Sequence, residues 1–282
     1  MGFVQITMNL AIFTLFVAAG IRFRKKRKVA VALMAASFLI ALYGWLAQAR
    51  PYLLTWFFPF ADVIYYSNLY PFAVGLFAPP AYALARTRAQ RIRFAILLSA
   101  LFYVSLMPYS YFWLPPAEVQ AETKIDSEGI CRQTCFDTCG AASVVTYLRM
   151  RGVSATERQA AGLALTKKNR GTLLLGQYRA LKKLAGGKVR IARMSVDDLV
   201  ARNEPALITV GLSHAPRNDY EDTLYRKANW TPGVMHDVVF MGVDPEDARK
   251  VIIGEPDFGV ERWWVEEFKI LYQGYAVIMD QK

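Results

Sequence analysis

Residues 133–142 read Gln133-Thr134-Cys135-Phe136-Asp137-Thr138-Cys139-Gly140-Ala141-Ala142, and Cys139 opens an apolar, alanine-rich run within them. The run predicts a helix over residues 139–151 that is ended by Gly152. At the start of a helix, unpaired backbone N–H groups and the helix dipole favour the thiolate form of a cysteine. Gly140 would leave space for a substrate carbonyl to approach the sulfur. Cys139 is therefore the candidate nucleophile.

Three more residues complete a candidate catalytic group. His236 begins a strand of alternating residues, Glu255 ends the next predicted strand, and Gln133 lies six residues before Cys139. A neutral histidine can take the thiol proton and later protonate a leaving amine. A carboxylate can hold the imidazole in the required tautomer. The Gln133 amide, together with the Cys139 backbone N–H, can donate to an oxyanion.

The chain contains only three cysteines and two histidines, so few other assignments are available. Asp237 and Asp257 remain alternatives to Glu255 as the carboxylate that orients the histidine. His214 lies in a polar loop and is predicted at the surface. Cys139 could also be an inert buried thiol, because free cysteine packs as a small apolar residue.

The order of predicted elements in the C-terminal half indicates an α+β domain, because helices come first and strands follow. A short helix is predicted after Ser195, and the segment 216–232 is predicted to form a flap over the active-site cleft. The other predicted helices cover residues 139–151, 155–164 and 172–185, and the predicted strands cover 188–194, 206–212, 236–243, 250–255 and 275–279.

Three motifs in this half resemble those of the bacteriocin-processing, double-glycine leader peptidases, a papain-like family. They are the Gln-x5-Cys-Gly-x-Ala pattern of residues 133–142, the histidine-plus-strand run 235–243, and the apolar strand 251–256 with its carboxylate and proline. The resemblance covers about residues 131–280. It implies a papain-like cysteine peptidase domain with a helix-borne cysteine packed on an antiparallel sheet. It also implies that no cofactor or metal is needed.

The resemblance assigns roles to individual residues. Cys139 would be the nucleophile, His236 the base and Gln133 the oxyanion donor. Glu255 stands where the family has Asp, and its longer side chain can still reach the imidazole ring. The family's enzymes are usually fused to exporting ABC transporters, whereas residues 1–115 of this chain match no part of such a transporter.

The basic charge of the chain belongs to its apolar half. The net charge is +11, and residues 1–115 hold eleven Lys and Arg residues but one acidic residue, Asp62. A basic half of this apolar character does not predict a nucleic-acid surface, so no nucleic-acid partner is expected. The lipid bilayer is the expected partner, and residues 1–115 are predicted to form a multi-span α-helical membrane domain. Asp62 is predicted at the membrane interface.

About four membrane spans are predicted, with five spans as an alternative. The basic residues of 22–28 follow the first apolar run, whereas a signal peptide would have them before it. Residues 52–66 are rich in aromatics and are predicted to form an interfacial segment. The predicted spans are residues 3–20, 29–49, 67–85 and 94–114, and residues 116–130 are predicted to be a linker to the peptidase domain, 131–282.

The positive-inside rule predicts the orientation. The two strongly basic loops, 22–28 and 86–93, are separated by two predicted spans, so both can face the cytoplasm. The fourth span then exits on the outer side. Together with the family resemblance, this predicts a bacterial inner-membrane protein whose C-terminal domain is extracytoplasmic, or periplasmic.

The two other cysteines need a separate account on that side of the membrane, where thiols tend to pair. A Cys131–Cys135 disulfide would leave Cys139 free. A Cys135–Cys139 disulfide would inactivate the enzyme. A zinc site built from all three cysteines is a further alternative, although the usual CxxC spacing is missing.

These observations predict a membrane-anchored thiol hydrolase that cleaves a peptide or amide bond in a peptide or protein substrate. A membrane-protein partner could deliver that substrate. Two alternatives stay open. One is a degenerate peptidase-fold domain that binds a peptide or partner protein at the membrane without cutting it. The other is an acyl- or peptidyl-transferase that uses the same thioester chemistry.

Overall fold

The computed structural model describes residues 11, 14–15, 17–18, 21–22, 26–85, 87–107, 110–228 and 230–280. The chain divides into two compact units. The first comprises Met1–Leu54 and Tyr65–Leu114, and the second comprises Thr55–Ile64 and Pro115–Lys282. The helices of the first half are α1 (Arg27–Ala49), α2 (Pro51–Phe57), α3 (Tyr70–Leu84), α4 (Arg88–Leu106) and α5 (Ser110–Trp113), with a 3₁₀ helix at Ala61–Tyr66.

The first unit is helical, and α3 packs against both α1 and α4. Buried side chains join these helices through backbone carbonyls. Ser37 Oγ donates to the carbonyl of Ala73 at 2.7 Å, and Asn68 Nδ2 donates to the carbonyl of Ser105 at 3.0 Å. Because these polar groups are satisfied within the unit, the outer faces of its helices can remain apolar.

Two helices of this unit, Lys28–Ala49 and Arg88–Leu106, are long and apolar enough to cross a membrane. The first of them matches the predicted span 29–49. The predicted span 67–85 corresponds to α3, whose 15 residues extend for about 22 Å, less than the roughly 30 Å of a bilayer core. Of the four predicted membrane spans, two therefore correspond to helices of sufficient length among the described residues. The predicted span 3–20 lies largely outside those residues.

The predicted span 94–114 differs from the helix that the structure contains. Helix α4 begins at Arg88 because Thr87 and Gln90 form a capping box, in which each side chain accepts a hydrogen bond from the backbone N–H of the other at 3.1 Å. It ends at Leu106, and the short α5 follows. The predicted interfacial segment 52–66 is occupied by the short α2 and the 3₁₀ helix, neither of which is long enough to span a membrane.

The second unit contains a six-stranded antiparallel sheet of order β3-β8-β4-β5-β6-β7, and a separate two-stranded ribbon of β1 and β2. Its strands are β1 (Lys124–Ile125), β2 (Cys131–Arg132), β3 (Val189–Arg193), β4 (Ala206–Val210), β5 (His236–Val243), β6 (Lys250–Glu255), β7 (Gly259–Trp264) and β8 (Tyr272–Met279). Its helices are α6 (Cys139–Met150), α7 (Glu157–Ala164), α8 (Leu174–Ala185), α9 (Val196–Arg202), α10 (Asp219–Ala228) and α11 (Val265–Leu271).

Helix α6 lies against the middle of the sheet. Its residues 139–148 are all buried, and it packs mainly on β5. Ser143 Oγ donates to the carbonyl of Asp237 at 2.8 Å, and the Met279 N–H donates to Tyr147 Oη at 2.8 Å. These hydrogen bonds fix the helix against two strands. The predicted α+β architecture, with a helix-borne cysteine on an antiparallel sheet, is confirmed in this unit.

The segment 55–64 belongs to the second unit, although it comes from the half of the sequence assigned to the membrane domain. Asp62 explains why. Its Oδ1 accepts from Arg179 Nε at 2.6 Å, and its Oδ2 accepts from Lys183 Nζ at 2.9 Å. The Arg179 side chain is only 2% exposed, so Asp62 neutralises a buried charge of α8. This aspartate therefore has a partner in the C-terminal unit.

Several elements of the second unit differ from the predicted pattern. Strand β7 and helix α11 fall in a stretch where none was predicted. Strand β7 is an edge strand whose residues are mostly half-exposed or exposed, which weakens its apolar signal. The predicted flap 216–232 contains helix α10. That helix starts with three acidic residues, which stabilise a helix N-terminus, and the Glu221 N–H donates to Asn218 Oδ1 at 2.8 Å.

Candidate active site

Cys139 is the first residue of α6 and follows directly on a 3₁₀ turn, Phe136–Thr138. The turn is closed by two hydrogen bonds. The Thr138 N–H donates to the Cys135 carbonyl at 3.0 Å, and the Cys135 N–H donates to Thr138 Oγ1 at 3.2 Å. Cys139 is 8% exposed. The sulfur is thus held at a helix N-terminus, where the N–H groups of the first turn have no acceptor within the helix.

His236 and Glu255 meet at the ends of two neighbouring antiparallel strands, β5 and β6. His236 Nε2 is hydrogen-bonded to Glu255 Oε1. The other oxygen, Oε2, accepts the backbone N–H of Asp257 at 2.9 Å and that of Phe258 at 2.7 Å. Both oxygens of this buried carboxylate therefore have fixed partners, and the turn after β6 sets the direction from which it contacts the ring.

The His236 ring also interacts electrostatically with the thiol of Cys139. Because Nε2 is occupied by Glu255, Nδ1 is the ring nitrogen left for the sulfur. Burial by itself would lower the pKa of His236, but the interactions with Cys139 and Glu255 outweigh burial and raise this pKa to about 11. A ring that keeps its proton at neutral pH is the imidazolium half of a thiolate–imidazolium pair.

Gln133 lies beside the same turn. Its backbone N–H donates to the carbonyl of Pro256 at 3.0 Å, next to Glu255 in the chain. Its Oε1 is buried and has no hydrogen-bond partner among the described residues. The oxygen and nitrogen of an amide are exchanged by a simple flip. With its amide flipped, Gln133 would have its NH₂ group at this unpaired position and could donate one more hydrogen bond, as an oxyanion donor must.

The two alternative carboxylates lie in other environments. Asp237 is buried, and its Oδ1 accepts from Thr209 Oγ1 at 2.7 Å. Burial raises the pKa of Asp237, with the Thr209 hydrogen bond acting against it. Its Oδ2 lies 2.6 Å from the position that a Cβ on Gly140 would take. Asp237 therefore packs behind the start of α6. The sequence analysis assigned the space at Gly140 to a substrate carbonyl, whereas in the structure the Asp237 carboxylate lies there.

Asp257 is exposed and lies on the cavity side of the turn. Burial and the neighbouring Glu255 charge raise the pKa of Asp257. One ligand atom from each of His236, Glu255 and Asp257 lies within 4.8 Å of the others, which is close enough for a metal ion. However, both Glu255 oxygens already accept hydrogen bonds, and a metal would displace His236 from the carboxylate. The arrangement fits an oriented imidazole better than a cation site.

The three cysteines are free in the structure, and the Cys131–Cys135 disulfide stays a prediction. Cys131 lies fully buried in β2, and its N–H donates to Thr146 Oγ1 at 2.9 Å. Burial raises the pKa of the Cys131 thiol to about 12, and the Glu157 charge adds to this effect. Such a thiol is unreactive. No cysteine belongs to a metal-ligand cluster among the described residues.

A cavity of about 710 Å³ opens beside His236 and Glu255. Its walls include α10, which lies in the predicted flap 216–232, and also β7 and α11, which the sequence did not connect with the site. Trp230 belongs to the predicted flap, and its ring centroid lies 6.4 Å from that of His236. His214, predicted at the surface, is half-buried, does not line this cavity, and has its Nδ1 2.9 Å from the carbonyl of Ala215. In the sequence, Trp230 and Trp263 were the residues that could have indicated an aromatic wall near His236.

The second unit is similar to solved peptidase C39-type domains. The peptidase domain of Streptococcus ComA, a bifunctional ABC transporter involved in a quorum-sensing pathway, is 21% identical at a TM-score of 0.41, and the match covers 54% of this chain and 96% of that chain. A double glycine motif protease from an AMS/PCAT transporter, in complex with the leader peptide, is 18% identical at 0.41, with 60% and 98% covered.

The N-terminal peptidase C39-like domain of the toxin secretion ATP-binding protein from Vibrio parahaemolyticus is 12% identical at a TM-score of 0.38, covering 53% of this chain and 100% of that chain. A comparison with protein-family profiles finds no match, and a comparison with curated protein sequences finds none either. The similar structures thus include the double-glycine leader peptidases that the motifs resemble. At TM-scores below 0.5 they are too distant to support a function, which therefore rests on the geometry of the site.

Proposed function

We propose that this chain is a membrane-anchored thiol hydrolase that cleaves a peptide or amide bond through Cys139, His236 and Glu255, with Gln133 as oxyanion donor. The observation that carries the proposal is the His236 ring, which is hydrogen-bonded to the buried Glu255 carboxylate and interacts electrostatically with the Cys139 thiol. A nucleophile, a base and an orienting group brought together in this way are what acyl transfer by a thiol requires.

The geometry supports the following reaction. The Cys139 thiolate attacks the carbonyl carbon of the scissile bond, and the electron pair of the C=O bond moves to oxygen. The Gln133 amide and the Cys139 backbone N–H stabilise that oxyanion. His236 gives its proton to the leaving amine, which departs and leaves a thioester. His236 then takes a proton from water as the water attacks the thioester, and the acid product leaves with the thiolate restored.

Glu255 contributes by holding the ring rather than by moving a proton. Its Oε2 is fixed by two backbone N–H groups, so Oε1 keeps one position relative to Nε2. A fixed acceptor at Nε2 directs Nδ1 to the sulfur and stabilises the charged ring. Glutamate can therefore fill the role for which the resembled family uses aspartate.

The proposed anchor is residues 1–115, and the proposed location of the C-terminal domain is extracytoplasmic, at a bacterial inner membrane. The two apolar helices and the basic loops 22–28 and 86–93 support this orientation. The Asp62 ion pairs add support, because they put the segment 55–64 on the same side as the C-terminal domain. This location requires an even number of membrane crossings between residues 64 and 115.

The reaction is tested by product analysis. The full-length protein in nanodiscs is incubated with a proteome-derived peptide library in H₂¹⁸O, and new termini are identified by mass spectrometry. We expect new C-termini that carry one ¹⁸O atom from solvent, and none with Cys139→Ser. New C-termini joined to an added amine would indicate a transferase instead. Peptides retained by the protein without new termini would indicate a binding module and would refute the hydrolase.

The orientation is tested with alkaline phosphatase, which is active only outside the cytoplasm. We expect activity when the reporter follows residue 280 and no activity when it is inserted within residues 86–93. The reverse pattern would refute the extracytoplasmic location while leaving the chemistry of the site untouched.

A further inference from the structure

The cavity beside His236 has the size and position of a substrate-binding site. Its volume of about 710 Å³ falls within the range of pockets that bind small molecules or side chains, about 300–1,000 Å³. His236 and Glu255 are among the residues that line it. A chain segment that extends from a carbonyl at Cys139 past the His236 ring would therefore enter this cavity.

Aromatic rings form much of the cavity wall. The ring of Trp230 contacts that of His236 and meets Trp263 edge-on, at a centroid distance of 5.7 Å and an angle of 88°. Phe136 and Phe258 also line the cavity and are 81% and 75% exposed. Flat aromatic faces bind the apolar stem of a lysine or arginine and attract its charge.

The cavity is also strongly acidic. Asp257, Glu261 and Glu267 line it in addition to Glu255, and among the described lining residues none is Lys or Arg. None of these three carboxylates forms a salt bridge among the described residues. Glu261 Oε2 does accept Trp263 Nε1–H at 2.7 Å, which fixes the carboxylate beside the ring.

The basic residues nearby in the chain are engaged elsewhere. Arg262 Nε contacts Asp244 Oδ2 at 3.0 Å, and Lys269 Nζ contacts Asp197 at 3.5 Å and Glu266 at 3.7 Å. The His236 and Arg132 charges act on Asp257, whereas no basic residue among those described forms a salt bridge with Glu261 or Glu267, so this part of the cavity keeps an uncompensated negative charge. A cation supplied by the substrate would satisfy it.

We infer that this cavity binds a peptide segment with a Lys or Arg side chain next to apolar residues, and that it selects cationic peptides for cleavage at Cys139. The inference rests on the proposed peptidase function and names the substrate class of that site. The basic side chain lies along the Trp230 and Trp263 rings, with its charge between Glu261 and Glu267. The adjoining apolar residues contact Phe136 and Phe258.

Binding without cleavage tests the inference. The full-length Cys139→Ala protein, in nanodiscs of neutral lipid, is presented with three degenerate peptide libraries that are identical except for one fixed residue: lysine, norleucine or glutamate. Retained peptides are quantified by mass spectrometry. Norleucine matches the length of lysine and lacks its charge. The measurement is repeated with Glu261→Gln/Glu267→Gln, in which the amide oxygens still accept the hydrogen bonds. The control is Glu122→Gln/Glu246→Gln, which removes two exposed carboxylates that do not line the cavity.

We expect the lysine library to be retained about tenfold better than the norleucine library, because two close carboxylates contact one ammonium group. The cavity variant should reduce the preference to about twofold, and the control variant should keep it. Equal retention of the lysine and norleucine libraries would overturn the inference, as would a preference that survives Glu261→Gln/Glu267→Gln. Because no bond is broken in this experiment, its result is independent of whether Cys139 is catalytic, which product analysis decides.

Discussion

His236 Nε2 is hydrogen-bonded to Glu255 Oε1, although the two residues lie 19 positions apart in the chain. The contact joins the first residue of β5 to the last residue of β6. Two backbone N–H groups hold the second oxygen of the carboxylate. A histidine whose ring is fixed in this way can present its other nitrogen to the sulfur of Cys139 without losing its orientation.

Glu255→Gln should lower the rate of peptide cleavage by about 10²–10⁴-fold, because the amide no longer stabilises the charged ring. Glu255→Asp should retain more activity, since it keeps the charge. Glu246→Gln, at an exposed position that does not line the cavity, is the matched control and should change the rate by less than about threefold. The measurement is the initial rate on a substrate from the product analysis. A larger loss with Asp257→Asn than with Glu255→Gln would assign the orienting role to Asp257.

The stability conferred by His236 should depend on pH. The pKa of this ring is raised from 6.5 to about 11 in the folded protein. A raised pKa contributes stability that is fully present below the unfolded value and is lost as the pH rises through the folded value. We expect the difference in unfolding free energy between the wild type and His236→Gln to be larger at pH 6 than at pH 10.5, measured by denaturant unfolding. A difference that grows with pH would contradict the charged ring.

Asp62→Asn should destabilise the C-terminal unit by about 1–3 kcal/mol, because it leaves the buried Arg179 charge without its carboxylate, and the partial exposure of Asp62 limits the loss. Asp280→Asn is the control, since Asp280 forms an exposed ion pair with Arg190. It should cost less than about 1 kcal/mol. The measurement is the denaturant midpoint of the full-length protein, monitored by tryptophan fluorescence. Equal losses in the two variants would mean that Asp62 is not part of this unit.

Gln133→Ala should separate substrate turnover from thiol reactivity. Removal of one oxyanion donor lowers cleavage by about 10²–10³-fold. Alkylation of Cys139 by iodoacetamide forms no oxyanion, so its rate should change by less than about threefold. Gln120→Ala, at an exposed position, is the control for both rates. A parallel fall of both rates in Gln133→Ala would show that Gln133 maintains the position of the cysteine and is not an oxyanion donor.

The C-terminal fold could be predicted because its signals are local. The helix that starts at Cys139 and the strands His236–Val243 and Lys250–Glu255 begin and end close to the predicted positions. The pleat of two adjacent strands then brings their end residues together, which is why sequence order was enough to nominate His236 and Glu255 as partners. The start of α4 was also readable in principle, from the capping pair Thr87 and Gln90.

Long-range pairings could not be predicted in the same way. Asp62 and Arg179 are 117 positions apart, and no motif near either residue predicts that the two form an ion pair. The cavity wall is likewise completed by β7 and α11, whose order in the chain does not indicate which faces meet, whereas α10 lies in the segment 216–232 that was predicted to cover the cleft. The packing behind Gly140 depends on the direction of the Asp237 side chain, which a sequence does not specify.

The central claim, an activated Cys139–His236 pair, is tested most directly by the pH dependence of Cys139 alkylation in the full-length protein. Mass spectrometry of the peptide that contains Cys139 gives the rate in the wild type, in His236→Ala and in the control His214→Ala. We predict fast alkylation at pH 6 in the wild type and in His214→Ala, and a rate about 100-fold lower in His236→Ala, because only a thiolate reacts. Slow alkylation at pH 6 in all three proteins, with a rate that rises only near about pH 8.5 as for a free cysteine, would contradict the account.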